Sequence, residues 1–415
     1  MSTLNKFSIV GLWGDKDLTL NFHEDVNFLI GRNGSGKTTV INLLAAALSA
    51  DFQTLDRVDF KKIEIHFSEP SNSVIEVSKR KTESRSPFLG IAYRFKPQKH
   101  SDWKEFALDE IESQITYRDW LRFGGRHGRI PDPIEILGIR VNFTWLSIHR
   151  AGPGRPRDDR AIESTIDIKL EQLSNSLTRL FSQVKSRSDE QTARFQSSVF
   201  FALLPPEDWL LERSVKELDL DKEQHALREI FETFDVPRHA YDTKVDEQFK
   251  RVNNAVHNKT SFTHADLTSL SAMWSIHSVV SQWGQLRAKQ AEINKPRVDF
   301  LHVINEMLNR KTLFINESNE LKAEMADHRP IKLSDLSSGE KQLLIILGEA
   351  LLQQKAPWIY IADEPELSLH VTWQEKLTSN LRHINPSAQI IFATHSPDIV
   401  GRFENNVFDM ERLLR

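Results

Sequence analysis

The stretch FLIGRNGSGKTTVINLL, residues 28–44, constrains the fold more than any other part of the chain. It opens on apolar, β-prone residues and then places glycines at Gly31, Gly34 and Gly36. From Lys37 onward Val40, Leu43, Leu44 and Ala47 recur at helical spacing. Strand, glycine loop and helix in that order are the context that a phosphate-binding loop demands. Gly31-Arg32-Asn33-Gly34-Ser35-Gly36-Lys37-Thr38 also satisfies G-x-x-x-x-G-K-[ST] at every fixed position. Glycines here let backbone N–H groups converge on phosphate oxygens at the positive end of the helix. Asn33, Gly34, Ser35, Gly36, Lys37, Thr38 and Thr39 are therefore the candidate nucleotide contacts. Lys37 would reach the β- and γ-phosphates and Thr38 would bind Mg²⁺.

A second element answers this loop from the far end of the chain. IYIADEPE (359–366) is an apolar strand that ends in two acids. Asp363 is placed to bind Mg²⁺, and Glu364 to orient or deprotonate an attacking water. Alone, an apolar strand ending in Asp-Glu is common. Beside a phosphate loop it is a strong signal.

LSSGEKQ (336–342) decides the family. It resembles the signature motif of ABC-type ATPases, usually written LSGGQ, with Ser337 at the serine, Gly339 at the second glycine and Ser338 in place of the first. Gly339 lies 24 residues before Asp363, as the family spacing implies. In that family the signature of one subunit closes over the γ-phosphate held by another, so Ser337, Ser338, Gly339 and Glu340 become candidate contacts in trans. A serine N-cap with Glu340 in the first turn describes the same residues structurally, and the two readings are compatible. Leu367-Ser368-Leu369-His370 occupies the D-loop, with His370 where transporters usually carry aspartate. His395, 32 residues after Asp363 in FATHSP, sits at the switch histidine.

ELSLH (366–370) is similar to the OLD-like branch of these ATPases. The chain runs only 20 residues beyond His395, too few for the Toprim nuclease that full-length OLD proteins carry there. It therefore resembles the stand-alone ATPase subunits of bacterial antiviral systems, such as those of PARIS and the PtuA ATPase of Septu and some retrons. The resemblance implies an α/β, ABC-type P-loop NTPase head with a mixed β-sheet, split by an α-helical, short coiled-coil insertion. It also implies ATP and Mg²⁺ as cofactors, a homo-oligomer of ATP-sandwich dimers, a separately encoded nuclease effector and a phage-derived trigger. A DNA-repair or chromosome-maintenance ATPase of the SMC/RecF kind is the alternative. Its mark would be a long coiled coil or a basic DNA channel. A transporter subunit fits the motifs but not the size of the insertion.

The pattern along the chain suggests an N-terminal lobe over 1–155, a helical insertion over 156–325 and a C-terminal lobe over 326–415. The first boundary is the Gly/Pro/Arg stretch HRAGPGRPRDDR (149–160). In the insertion Leu170, Leu173, Leu177, Leu180 and Val184 form a 3,4,3,4 seam. A helix of ~30 residues there would be about 45 Å long. A formal charge of −4 argues against the whole molecule being an electrostatic glove, although nucleic acid remains among the partners considered. The absence of cysteine removes disulfides and thiolate sites. No apolar run approaches the ~20 residues of a membrane span, and a cytoplasmic protein with no membrane partner is expected. The 15 histidines show no metal-ligand spacing.

Three features find no firm place. No Q-loop glutamine stands out, and the strand end NFTWLSIHRAG offers His149 and Arg150 instead. Trp13 could pack on adenine, though a core aromatic is the default reading. The basic stretches 79–85 and 122–129 read as solvated loops before they read as phosphate contacts.

Overall fold

The computed structural model describes residues 3–79, 90–98, 101–107, 141–146, 159–202, 218–257 and 263–414. Nearly all of the basic stretch 79–85, all of 122–129, and His149 and Arg150 with most of the 149–160 linker lie outside the described residues.

The chain begins with strands β1 (Leu4–Leu12), β2 (Lys16–Asn21) and β3 (Val26–Ile30), then helices α1 (Lys37–Ser49) and α2 (Phe52–Arg57). Strands β4 (Lys62–Phe67), β5 (Val74–Lys79), β6 (Ile91–Lys96), β7 (Lys104–Ala107) and β8 (Phe143–Leu146) follow. Helices α3 (Asp159–Phe201), α4 (Leu220–Thr233), α5 (Arg238–His257) and α6 (His264–Met307) come next. Strands β9 (Lys311–Ile315), β10 (Leu321–Met325) and β11 (Pro330–Ile331) precede helix α7 (Ser338–Leu352). The chain closes with β12 (Trp358–Asp363), α8 (Val371–Ile384), β13 (Ala388–Ala393), α9 (Pro397–Val400), β14 (Val407–Asp409) and α10 (Met410–Leu413).

These elements make an α/β fold with antiparallel and parallel sheets. The parallel sheet has the order β14-β3-β13-β12-β8 and the large antiparallel sheet β2-β1-β4-β5-β6-β7, while β11-β10-β9 form a small third sheet. Every residue of β13 is buried, as a central parallel strand covered on both faces requires. In β4, Ile63, Ile65 and Phe67 face inward, while Lys62, Glu64 and His66 alternate outward. Helix α1 is apolar on most sides and accordingly buried. One continuous core joins Ile9 and Ile63 of the antiparallel sheet to Leu44 of α1 and to Ile361 and Ile391 of the parallel sheet.

A single side chain also ties the two large sheets together. Gln389 on β13 is fully buried; its Oε1 accepts from the Leu4 N–H at 2.7 Å, and its Nε2 donates to the Leu4 and His23 carbonyls at 2.8 Å each. Leucine at this position would fill the space but remove the partner of the Leu4 N–H and carbonyl, while the His23 carbonyl would keep Asn27 Nδ2 at 2.9 Å. Gln389→Leu is expected to destabilise the chain by about 3 kcal/mol, since each buried orphan costs ~1–3 kcal/mol. The check is the denaturant midpoint at unchanged slope.

Two compact units divide the chain. One comprises Met1–Thr178 with Asp299–Arg415, the other Arg179–Val298. The first contains all three sheets. The second is helical, with one apolar cluster around Tyr241, Phe249, Val252 and Met273 and another around Phe195, Ile230, Trp283 and Leu286.

Helix α3 has 43 residues, about 65 Å, where the leucine seam alone suggested ~30. Polar flanks carry the helix past the seam, and a periodicity count does not register them. The start of the seam also packs where spacing could not foretell. Leu173 lies against Gly348 of α7, where an added Cβ would stand 2.8 Å from its Cδ2. Lys341 of α7 meets Asp167 of α3 at 2.8 Å.

Candidate functional site

Strand β3 delivers the glycine loop and α1 carries it away. Gly34 and Gly36 have φ of 85° and 93°, left-handed values that other residues rarely adopt. Gly36 is also crowded, since a Cβ there would meet the Trp13 ring at 2.6 Å. Trp13 itself is 44% exposed, so it is a surface ring beside the loop and not a core aromatic. It leaves the core because β1 and β2 turn at Trp13 with φ 55° and aim the ring toward α1.

Lys37 is buried, and its Nζ donates to the carbonyls of Gly31 at 2.7 Å and Arg32 at 3.2 Å. Burial lowers its pKa, opposed by the carboxylates of Glu364, Asp363, Glu366 and Glu411. Ser35 Oγ is shielded from solvent and has no hydrogen-bond partner among the described residues. An orphaned hydroxyl in a loop of left-handed glycines, backed by a buried ammonium, suits a multiply charged anion.

The parallel sheet brings the acids to this loop. Thr38 Oγ1 donates to Asp363 Oδ1 at 3.1 Å across 325 residues of sequence. The two oxygens fit a hard cation that takes its remaining ligands from phosphate and water, as Mg²⁺ does. Glu364 follows with φ 49°, its N–H donating to the Ala393 carbonyl at 2.8 Å. His395 Nε2 lies 3.9 Å from Glu364 Oε1, within electrostatic reach but beyond hydrogen-bond length. The phosphate loop, both acids and the histidine thus occupy the C-terminal ends of adjacent parallel strands, where open α/β sheets place their sites.

The turn at Ser337 is a separate construction. Ser337 caps α7, with its side chain accepting from the Glu340 N–H and the Glu340 carboxylate accepting from the Ser337 N–H at 2.7 Å. Glu340 is buried and receives Lys311 Nζ at 2.6 Å. Burial raises its pKa, but the bonds from Lys311 and Ser337 outweigh that and hold it below the ordinary glutamate value. Ser337 and Ser338 are exposed. Gly339 is not, and a Cβ on it would stand 2.4 Å from the Ser368 carbonyl oxygen. Only glycine lets this turn lie on the 367–370 loop. His370 caps α8, its ring accepting from the Thr372 N–H.

Several residues at the site carried no sequence signal. Glu411 Oε1 accepts from the Arg32 N–H at 2.8 Å, so the C-terminal α10 braces the phosphate loop. Gln342 is buried on α7 and donates to the Pro365 carbonyl at 2.9 Å. Glu366 is buried beneath the loop that carries His395. It is the third acid of DEPE, and nothing in that motif says which loop it would hold.

A family model described as "AAA domain, putative AbiEii toxin, Type IV TA system" matches residues 26–401. Among solved structures the chain is similar to the Smc head domain with a coiled coil and joint from Pyrococcus yayanosii, at 15% identity over 96% of this chain and 93% of that one, TM-score 0.42. It is also similar to the Smc head domain with an extended coiled coil bound to the C-terminal domain of ScpA from Pyrococcus furiosus, at 13% identity over 96% and 91%, TM-score 0.41. The SMC head domain from Thermotoga maritima matches at 13% identity over 96% and 90%, TM-score 0.39.

Proposed function

The chain belongs to this AAA domain family of P-loop NTPases, and from that premise we propose that it binds and hydrolyses ATP between two copies arranged head to tail. The observation that carries the reading is the Thr38–Asp363 hydrogen bond, which joins the phosphate loop to the acidic strand end with Glu364 and His395 alongside. Residues 33–39 would hold the phosphates, with Lys37 turning from its own loop carbonyls to the β- and γ-oxygens. Thr38 and Asp363 would hold Mg²⁺, which when bound offsets charge on the phosphates. Glu364 would take the proton of the attacking water, and His395 would face the γ-phosphate. The exposed Trp13 ring, beside Gly36, would stack on the base.

Ser337, Ser338, Gly339 and Glu340 would serve the partner copy's nucleotide. The exposed serines at the N-terminus of α7 present the positive end of a helix, and the capping box holds that end rigid. Gly339→Val should force the 367–370 loop away, weakening ATP-driven association roughly tenfold while ATP binding to a single chain stays near wild type. Sedimentation with and without ATP separates the two.

In the cell the chain would act as the sensor and scaffold subunit of a cytoplasmic antiviral system, gating a separately encoded nuclease. The ELSLH loop with its His370 cap and the toxin–antitoxin description of the family support this. Helices α3 and α6, with 43 and 44 residues, favour the alternative of a DNA-maintenance ATPase. Native mass determination of the chain, expressed from its own locus and purified under Mg²⁺ and ATP, tests the choice. A nuclease in a defined multimer supports the defence reading. Nuclease-sensitive mass with no protein partner supports DNA maintenance.

A further inference from the structure

We propose that Glu366 is a positioning residue for the hydrolytic pair Glu364 and His395, acting by gathering the chain around His395 onto one buried carboxylate oxygen. This inference rests on the ATPase reading above. Glu366 is 8% exposed. Its Oε1 accepts from Thr394 Oγ1 at 2.6 Å, from the His395 N–H at 2.8 Å and from the Ser396 N–H at 3.3 Å. Three consecutive residues therefore converge on a single acceptor. Ser396 is tied a second time, its Oγ donating to Gln374 Oε1 at 2.7 Å while Gln374 Nε2 donates to the Leu369 carbonyl at 2.8 Å.

The consequence lies in where these bonds sit relative to the reacting groups. The Glu364 N–H is fixed to the Ala393 carbonyl at 2.8 Å, and two residues later the Glu366 carboxylate is fixed to residues 394–396. The segments bearing Glu364 and His395 are thus stitched together on both sides of the pair, and the side chains meet at 3.9 Å. A charged acceptor makes hydrogen bonds about twice as strong as a neutral one. The other oxygen, Oε2, is shielded from solvent and has no hydrogen-bond partner among the described residues. A carboxylate in so unfavourable a place would be an expensive way to close a turn. As the clamp on a catalytic loop its cost has a return, because a misplacement of ~1 Å can slow a reaction roughly 100-fold.

The plain alternative is that Glu366 only stabilises the fold, and the two roles separate in the full-length chain. Wild type, Glu366→Ala, Glu366→Gln and Thr394→Val would be compared in ATP affinity, single-turnover hydrolysis and hydrogen exchange at residues 394–396. Glu366→Ala should hydrolyse bound ATP roughly 100-fold more slowly, with affinity within about threefold and faster exchange at His395 and Ser396. Glu366→Gln keeps an acceptor oxygen in place and should recover to within about tenfold of wild type.

Hydrolysis at the wild-type rate by Glu366→Ala overturns the inference alone. Should that variant fail to fold, Thr394→Val removes one donor and keeps the carboxylate. Unchanged hydrolysis there overturns it equally. A wild-type chain that binds ATP without hydrolysing it overturns the ATPase reading and this inference with it.

Discussion

Lys37→Ala binds ATP at least ~100-fold more weakly than wild type, while its nucleotide-free form melts at an unchanged or higher temperature. The two halves of this expectation come from the same side chain. In the free chain the Lys37 ammonium is buried against the carbonyls of Gly31 and Arg32, and burial lowers its pKa despite four nearby carboxylates. The fold gains little from a cation held in that way. With ATP present, the same cation would meet two phosphate groups, and charged hydrogen bonds contribute about 1.5–3 kcal/mol each. Stabilisation by ligand measures the difference directly. At 100 times the dissociation constant wild type should gain about 2.7 kcal/mol, and the variant nearly none at the same concentration. Thermal melts with and without Mg²⁺ and ATP suffice. An undiminished shift in the variant would remove Lys37 from the site. A large loss of stability without ligand would instead make it a structural residue.

How much of this could be read from sequence depended on whether the relevant partner was local. Gly34, Gly36 and Lys37 lie within four residues, and the backbone geometry they demand is written in residue type. The capping box of Ser337 and Glu340 is equally local. Lys311, which completes it by reaching Glu340, lies 29 residues upstream and has no pattern of its own. Glu366 and Gln342 fail for the same reason, because each bonds to a backbone group far along the chain. Trp13 shows another limit, since its position in a turn was legible but its exposure depended on how β1 meets α1. In α3 the spacing of Leu170, Leu173 and Leu177 announced a buried stripe. It could not say that Leu173 would press on Gly348 of α7. The junctions between the two compact units fall at 178/179 and 298/299, inside α3 and α6, where composition has no reason to change.

Glu364→Gln is expected to show the opposite pattern to Lys37→Ala, with nucleotide bound and not released. The substitution keeps size and shape, so the left-handed backbone at 364 and its bond to Ala393 should persist. What is lost is the lone pair that takes a proton from water, and a general base contributes ~100- to 10,000-fold. Affinity for ATP should rise modestly, because one negative charge is removed from a site that also holds Asp363 and Glu366. If two copies close around ATP and open after hydrolysis, the closed pair should outlive its wild-type counterpart by the same factor as the rate falls. Sedimentation under ATP would then show mostly associated chain, and a chase with ADP would dissociate it slowly. Turnover near the wild-type rate would sink Glu364 as the base and leave His395 as the next residue to test. Slow turnover without accumulated dimer would keep the base and refute the shared site. The two failures are distinct because the proposed base follows strand β12 and the proposed closing surface lies at the start of α7.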